Sequence, residues 1–133
     1  MNAMLAQNGA SAYKQVNRFS GIEGASPHQL IEMLLKGALD KIAIAKGYMA
    51  REDWAEKGVE LNKSIAIVQE LRASIDIESG GTLAQRLDNL YDYMIRTLLT
   101  ANLENSTAKL DEVTSLLGEI YESWVLIPGD LRG

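Results

Sequence analysis

Proline is almost missing from this chain, and the placement of its two prolines constrains the fold more than any other feature. Pro27 and Pro128 bracket a long stretch that holds no other residue lacking a backbone N–H. Within that stretch apolar residues recur at spacings of three and four, and no segment alternates with a period of two. The pattern predicts an all-α protein.

Capping signals place the start of the first helix. Ser26 precedes Pro27, and Gln29 follows three residues after Ser26, which is a capping box with proline where its missing N–H costs nothing. The apolar pattern then continues to about Ala50. After a short join, a second helix is predicted to extend to about Ile77.

A glycine pair separates the second helix from the third. Gly80 and Gly81 are typical of a left-handed cap followed by a turn, so we predict that they end the second helix. Thr82 and Gln85 form a second capping box, which is predicted to start the third helix. This helix is predicted to end near Glu104.

The joins between the helices are short, which sets the architecture. A fourth helix is predicted from about Thr107 to Val125. Because short joins make consecutive helices antiparallel, residues 26–127 are predicted to form an up-down four-helix bundle. Residues 1–25 are predicted to be a short, mobile N-terminal helix or arm, and residues 128–133 a C-terminal tail.

The composition limits the classes of partner. The chain has 133 residues, which suits one domain, and contains no cysteine. A formal net charge of −5 argues against nucleic acid and against an anionic membrane surface. The N-terminus lacks the pattern of a signal peptide, and no apolar run is long enough to span a membrane. These features predict a soluble, cytoplasmic protein without direct membrane insertion.

The residues that carry enzyme chemistry are missing from the pattern. His28 is the single histidine and stands in the first turn of a helix, where we expect a surface residue rather than a catalyst or a ligand. No Glu-x-x-His motif occurs for a di-iron site, and the glycine pair fits no phosphate-binding loop. We therefore predict that the protein is not an enzyme and needs no cofactor and no metal.

Two helices carry more apolar surface than one core requires. On the first helix Met33, Gly37 and Ile44 widen the apolar face, and on the second Ile67 and Leu71 lie on one flank. Two interpretations remain open. These residues contact two neighbouring helices at once, as helices in a bundle do, or they line an apolar groove that is open to a partner helix.

The sequence LDNLYDYMIRTLLTAN holds two tyrosines that do not share a helix face. Tyr91 shares the apolar face with Leu87 and Met94, whereas Tyr93 lies on the polar side of that face. Tyr93 is either an amphipathic side chain that leans over its neighbours or an interface tyrosine, a residue type that is enriched at binding hot spots.

Several of these segments together resemble the FliS family of flagellin export chaperones. The resemblance lies in ASPHQLIEMLLKGAL, in LDNLYDYMIRTLLTAN, in the upstream Tyr13, in the glycine turn and in the late Trp124, and it covers nearly the whole chain in order. The chain departs from the family where MLYDGAL is usual, because Leu35 replaces an aromatic residue and Lys36 replaces an acidic one.

The resemblance implies a function and a set of partners. A member of this family is a cytoplasmic helical bundle that binds the C-terminal segment of flagellin, prevents premature polymerisation and delivers flagellin to the flagellar type III export apparatus. The N-terminal arm would cover part of the binding groove when the groove is empty. Further implied partners are the flagellar export gate and a flagellar regulator or co-chaperone.

The resemblance also implies which residues bind the partner. By position these are Tyr13 in the N-terminal arm, Leu30, Met33, Leu34 and Gly37 in the first bundle helix, and Asp92, Tyr93 and Met94 in the YDYM helix. The apolar faces add three residues of the second helix, namely Ser64, Ile67 and Leu71.

Two other functions are compatible with a groove of this kind. The first is a helical adaptor that binds an anti-sigma factor or a regulator of flagellin level. The second is a small bundle enzyme, which the missing catalytic motifs disfavour.

Overall fold

The computed structural model describes residues 24–127, which form four α-helices. We number them α1 (Pro27–Ala50), α2 (Trp54–Ala73), α3 (Ile77–Glu104) and α4 (Thr107–Leu126). Residues 24–127 contain no β-strand, so the predicted all-α class is confirmed. The predicted N-terminal arm, with Tyr13, and the predicted C-terminal tail lie outside the described residues, apart from the short segment before α1.

The four helices pack as a closed ring: α1 contacts α2, α2 contacts α3, α3 contacts α4, and α4 contacts α1. The start of α1 meets the end of α4, where the His28 and Trp124 rings stack. The end of α2 meets the first half of α3, where Arg72 pairs with Asp88. Neighbouring helices are therefore antiparallel, which confirms the up-down four-helix bundle.

The start of α1 follows the predicted capping box. The Ser26 hydroxyl oxygen accepts from the backbone N–H of Gln29 at 3.1 Å, and the Gln29 side-chain oxygen accepts from the backbone N–H of Ser26 at 2.9 Å. Pro27 stands at the first helical position. Two of the N–H groups at the helix start are thus satisfied by side chains, which fixes where α1 begins.

The boundary between α2 and α3 differs from the prediction. The second helix ends at Ala73 rather than near Ile77, because Asp76 starts a new helical turn by accepting from the backbone N–H of Ser79 at 3.1 Å. The glycine pair therefore does not end α2, and that prediction was wrong. Gly81, with φ 58° and ψ −134°, instead interrupts α3 after its first turn.

The predicted capping box after the glycine pair also differs. The Gln85 side chain donates to Asn89 at 3.1 Å, one turn further along α3. The actual caps of the last join lie at Asn105, which adopts the left-handed conformation at φ 53°, and at Ser106, whose hydroxyl accepts from the backbone N–H of Lys109. Asparagine tolerates the left-handed conformation, so the helix ends there without a glycine.

The core lies on the central axis and draws on every helix. Its fully enclosed side chains follow the spacing of three and four that the sequence shows, and they are Leu35, Ile42, Leu61, Val68, Leu71, Met94, Leu98, Leu110, Val113 and Leu117. Burying each such side chain contributes about 1.5–3 kcal/mol. The core is therefore large enough to hold the helices together without disulfides.

A buried lysine closes the end of the bundle where α2 starts and α3 finishes. Lys57 is only 5% exposed. Its ammonium group donates to the backbone carbonyl of Asn102 at 2.9 Å and to the side-chain oxygen of Asn105 at 2.6 Å. The charge is thus buried with polar partners, which offsets the cost of removing it from water.

Candidate partner-binding site

Six of the residues that were predicted to bind a partner lie in the interior of the bundle. Each has less than a tenth of its surface exposed, and they are Leu30, Leu34, Ser64, Ile67, Leu71 and Met94. Ser64 is satisfied locally, because its hydroxyl donates to the carbonyl of Leu61 at 2.8 Å. These six side chains position the surface residues and offer almost no surface of their own.

Met33 and Gly37 are half-buried, and Gly37 lies at the junction of α1 and α2. The Ile67 side chain lies 3.6 Å from the position that a Cβ atom on Gly37 would occupy. The two flanks that the sequence pattern marked as unusually apolar are therefore brought together. Ile67 of α2 is therefore packed against α1 rather than left open to a partner.

Asp92 is held at the junction of α2 and α3 by two arginines. Arg72 donates to it at 3.1 Å and Arg96 at 3.0 Å. Arg72 also grips Asp88 through two bonds, at 2.8 and 3.2 Å, and these hydrogen bonds raise the pKa of Arg72 above its ordinary value. The four residues form a chain of alternating charges along the surface.

Tyr93 crosses from α3 to α4. Its hydroxyl donates to the carboxylate of Glu112 at 2.6 Å, and that hydrogen bond raises the pKa of Tyr93. The Arg96 guanidinium lies 6.0 Å from the centre of its ring, and 39% of the residue is exposed. Tyr93 is therefore outside the core and tied to its neighbour, with one side of its ring open.

The exposed members of the predicted set do not form one patch. Gly37 lies where α1 meets α2, and Asp92 lies where α3 meets α2. Tyr93 lies where α3 meets α4. They occupy three different junctions around the ring of helices. A compact partner would meet one of these junctions, whereas an extended partner that wraps the bundle would meet all three.

The two positions that depart from the resembled pattern have separate roles. Leu35 is fully buried in the core, where a leucine fills the space between helices. Lys36 is exposed and pairs with Asp40 one turn further along α1, with 3.5 Å between the charged atoms. A surface pair of this kind contributes little stability, so Lys36 is available to other charges.

An apolar cavity opens at the end of the bundle opposite to Lys57. It measures about 330 Å³. All four helices line it, chiefly through Ile31, Leu71, Leu87, Tyr91, Ile120 and Trp124. The sequence analysis did not predict this cavity, since the residues that line it come from distant positions and each of them also fits an ordinary core pattern.

His28 and Trp124 close one wall of this end cavity. Their rings stack with 4.5 Å between centroids and an angle of 3° between planes. The Nε1–H group of Trp124 donates to the carbonyl of His28 at 2.9 Å, and Nε2 of His28 lies 2.9 Å from the carbonyl of Trp124. The expectation that His28 is a surface residue was wrong, because this reciprocal pairing buries its ring to 3% exposure.

The interrupted start of α3 also lines the end cavity. A Cβ atom on Gly80 would lie 2.4 Å from the Cβ atom of Ala84, so only glycine fits there. Gly81 bends the chain with a backbone conformation that other residues avoid. Leu83, which follows the bend, lines the cavity and yet is 77% exposed, so the cavity opens to solvent beside it.

Other large apolar side chains stay exposed far from the cavity. Trp54 and Val59 at the start of α2 are each 46% exposed, and Leu99 and Leu103 near the end of α3 are 47% and 86% exposed. Single exposed apolar residues are common on protein surfaces, so these four side chains do not by themselves indicate a binding site.

Residues 24–127 contain no cluster of three or more side chains that suit a metal ion. Within the same range, none of the helices combines the length and the apolar character that crossing a membrane requires. Glu60 is the one described side chain with a fully enclosed polar atom that makes no hydrogen bond, and it lies 3.6 Å from Lys41.

An all-α bundle with an apolar cavity and exposed apolar side chains has the features of a small helical binding protein. A family model described as "Flagellar protein FliS" matches residues 9–130. The chain therefore belongs to the FliS family.

Individual relatives agree with the family assignment. A protein of Pseudomonas aeruginosa named "Flagellar secretion chaperone FliSB" is 44% identical over 121 residues, which are 91% of this chain and 96% of the relative. The "Flagellar secretion chaperone FliS" of Salmonella typhimurium is 45% identical over 122 residues, or 91% and 90% of the two chains. A relative in Bacillus subtilis with the same name is 32% identical over 123 residues. The family is thus one of chaperones in flagellum biogenesis.

Proposed function

We propose that this protein is a cytoplasmic export chaperone that binds the C-terminal segment of flagellin. It keeps flagellin from polymerising too early and delivers it to the flagellar type III export apparatus. The observation that carries this proposal is the near full-length match to flagellar secretion chaperones. The role needs no catalysis, and a flagellar protein is the partner that the names of the relatives imply.

The arrangement of the surface supports a partner that wraps the bundle. The exposed residues of the predicted set lie at three helix junctions, and a flexible segment can follow all three in one continuous path. We assign the direct contacts to Met33, Gly37, Asp92 and Tyr93. The buried members of the set act by keeping these four in place.

The physical basis of the chaperone activity is mass action. A segment that is bound to the bundle is removed from the pool that polymerises, in proportion to the affinity of the complex. Ordering a flexible segment costs conformational entropy, so a large contact area is compatible with a moderate affinity. A moderate affinity suits a cargo that has to be released at the export apparatus.

Polymerisation of purified flagellin tests the proposal. We expect an equimolar amount of the chaperone to keep flagellin in the supernatant after high-speed sedimentation, under conditions in which flagellin alone forms a pellet. An unrelated helical bundle of similar charge is the control. Sedimentation of flagellin at the same rate with and without the chaperone would show that the proposed function is wrong.

Tyr93 offers a sharper test of the assigned surface. Replacing it by alanine is expected to weaken flagellin binding while leaving the melting temperature almost unchanged, because the side chain is outside the core. Leu103→Ala is a matched control for the loss of an exposed apolar side chain on the same helix. A large fall in melting temperature with unchanged binding would place Tyr93 among the residues that only stabilise the fold.

A further inference from the structure

The end cavity has enough room and an apolar lining to receive a large side chain. Its volume of about 330 Å³ lies at the lower end of the range of ligand pockets, which begins near 300 Å³. Its walls are mainly aliphatic and aromatic, and Leu83 marks an open side. A space of this kind excludes charged groups and accepts a large apolar side chain that enters from the surface.

Tyr91 adds a polar group to this apolar lining. The residue is only 3% exposed, and its hydroxyl makes no hydrogen bond within the part of the chain that the structure describes. Among the described residues, only Glu60 has a fully enclosed side-chain polar atom that makes no hydrogen bond. The Tyr91 hydroxyl is therefore partly accessible. Tyr91 is one of the residues that line the cavity.

Three acidic residues stand within two positions of residues that line the cavity, and they limit the chemistry of the occupant. Asp76 and Glu78 flank the first turn of α3 and are exposed, and Glu122 lies on α4 two residues before Trp124. A fatty acid or another anionic ligand would bring a negative charge towards these carboxylates. A polypeptide instead offers neutral apolar side chains, and each is followed by a backbone carbonyl that accepts a hydrogen bond.

We propose that the end cavity receives one large apolar side chain of the bound flagellin segment, and that Tyr91 donates its hydroxyl hydrogen bond to a backbone carbonyl beside that side chain. This inference rests on the proposed function and assigns its anchor subsite. Apolar pockets that a partner side chain fills concentrate binding energy in a few residues of an interface. A buried hydroxyl that gains its acceptor only in the complex favours the bound state.

Filling the cavity tests the proposal directly. Ala84 lines the cavity and is buried, so Ala84→Leu places three additional carbon atoms in or against it. Ala43→Leu adds the same atoms to the exposed face of α1 and is the matched control. We expect the affinity for the purified C-terminal segment of flagellin, measured by calorimetry, to fall roughly tenfold or more for Ala84→Leu and to stay unchanged for Ala43→Leu.

Tyr91→Phe provides a second variant that keeps the ring and the packing. In the free protein we expect an unchanged or higher melting temperature, because the change removes a hydroxyl that has no hydrogen-bond partner among residues 24–127. In the complex we expect a loss of affinity of about threefold to tenfold, the worth of one hydrogen bond. If Tyr91 only stabilised the fold, Tyr91→Phe would not weaken flagellin binding while leaving the melting temperature unchanged or higher.

The outcomes separate the subsite from the function. Equal affinities of wild type, Ala84→Leu and Tyr91→Phe would overturn the subsite while wild-type binding still supports the chaperone function. Absence of flagellin binding by the wild type would overturn both. If Ala84→Leu does not fold, as judged by circular dichroism, the affinity of Tyr91→Phe alone decides, and an unchanged value overturns the subsite.

Discussion

The two ends of the bundle are built in opposite ways. At one end Lys57 fills the space between α2 and α3, and polar groups from the end of α3 satisfy its charge. At the other end the space is left as an apolar cavity, bordered by the stacked pair of His28 and Trp124 and by a glycine bend. The comparison indicates that one end is filled by a hydrogen-bonded charge, whereas the other keeps an apolar space behind a packed aromatic pair.

The two tryptophans give the largest predicted contrast between the ends. Trp124 stacks on His28 and donates a hydrogen bond, so Trp124→Ala should lower the free energy of unfolding by about 3 kcal/mol. Trp54 is 46% exposed, and Trp54→Ala should cost less than about 0.5 kcal/mol. Urea unfolding followed by circular dichroism measures both. Equal losses of unfolding free energy for the two variants would contradict the difference in packing between Trp124 and Trp54.

Gly81 in the bend of α3 and Gly118 in α4 provide a second comparison. A Cβ atom on Gly81 or on Gly118 would meet no atom within 4 Å, and only Gly81 has a positive φ, of 58°. Gly81→Ala should therefore destabilise the fold by about 1–3 kcal/mol through backbone strain. Gly118→Ala should stabilise helix α4 by about 0.5–1 kcal/mol. Thermal unfolding measures both changes in stability. If both variants change the melting temperature in the same direction, backbone strain at Gly81 does not determine the shape of the cavity wall.

Lys57 allows a test of the polar end. Lys57→Met keeps much of the aliphatic stem and removes the charged hydrogen bonds to Asn102 and Asn105, so we expect a loss of about 1–2 kcal/mol. Lys63→Met is the control, since its side chain is half exposed and only pairs with Glu60. If chemical denaturation gives the same stability for Lys57→Met as for wild type, the hydrogen bonds of Lys57 do not stabilise this end of the bundle.

The smallest predicted effect depends on pH at the junction of α3 and α4. The hydrogen bond to Glu112 raises the pKa of Tyr93, so the folded protein holds the phenolic proton more firmly than the unfolded chain. This contribution is fully present below the ordinary tyrosine pKa of about 10 and is lost as the pH rises through the higher folded-state value. The stability difference between wild type and Tyr93→Phe should therefore shrink in alkaline solution.

Urea unfolding at about pH 8 and at about pH 11, on either side of the ordinary tyrosine pKa, measures this effect. The Glu112→Gln background is the control, because it removes the charge that raises the pKa of Tyr93. A stability difference that grows with pH would contradict the assigned hydrogen bond.

Much of the fold follows from local sequence signals, because those signals act over a few residues. The spacing of apolar residues identified the helices, and the capping box at Ser26 fixed the start of α1. The boundary before α3 was predicted wrongly because the Asp76 cap competes with the glycine pair, and sequence alone does not rank the two.

The site was harder to predict, because its contacts join distant positions. His28 and Trp124 are 96 residues apart, and the sequence around either residue does not predict their contact. The same applies to the hydrogen bond between Tyr93 and Glu112 and to the cavity, whose lining residues come from four helices. A pattern of one residue type along one helix identifies the face that is buried, but the partner on the next helix depends on the assembled fold.

The most direct test of the central claim is the stoichiometry of the complex with flagellin. Size-exclusion chromatography with light scattering should show a one-to-one complex between this protein and full-length flagellin, and no complex with flagellin that lacks its C-terminal segment. Equal binding of both forms of flagellin, or of neither, would contradict the assignment of this bundle as a chaperone of that segment.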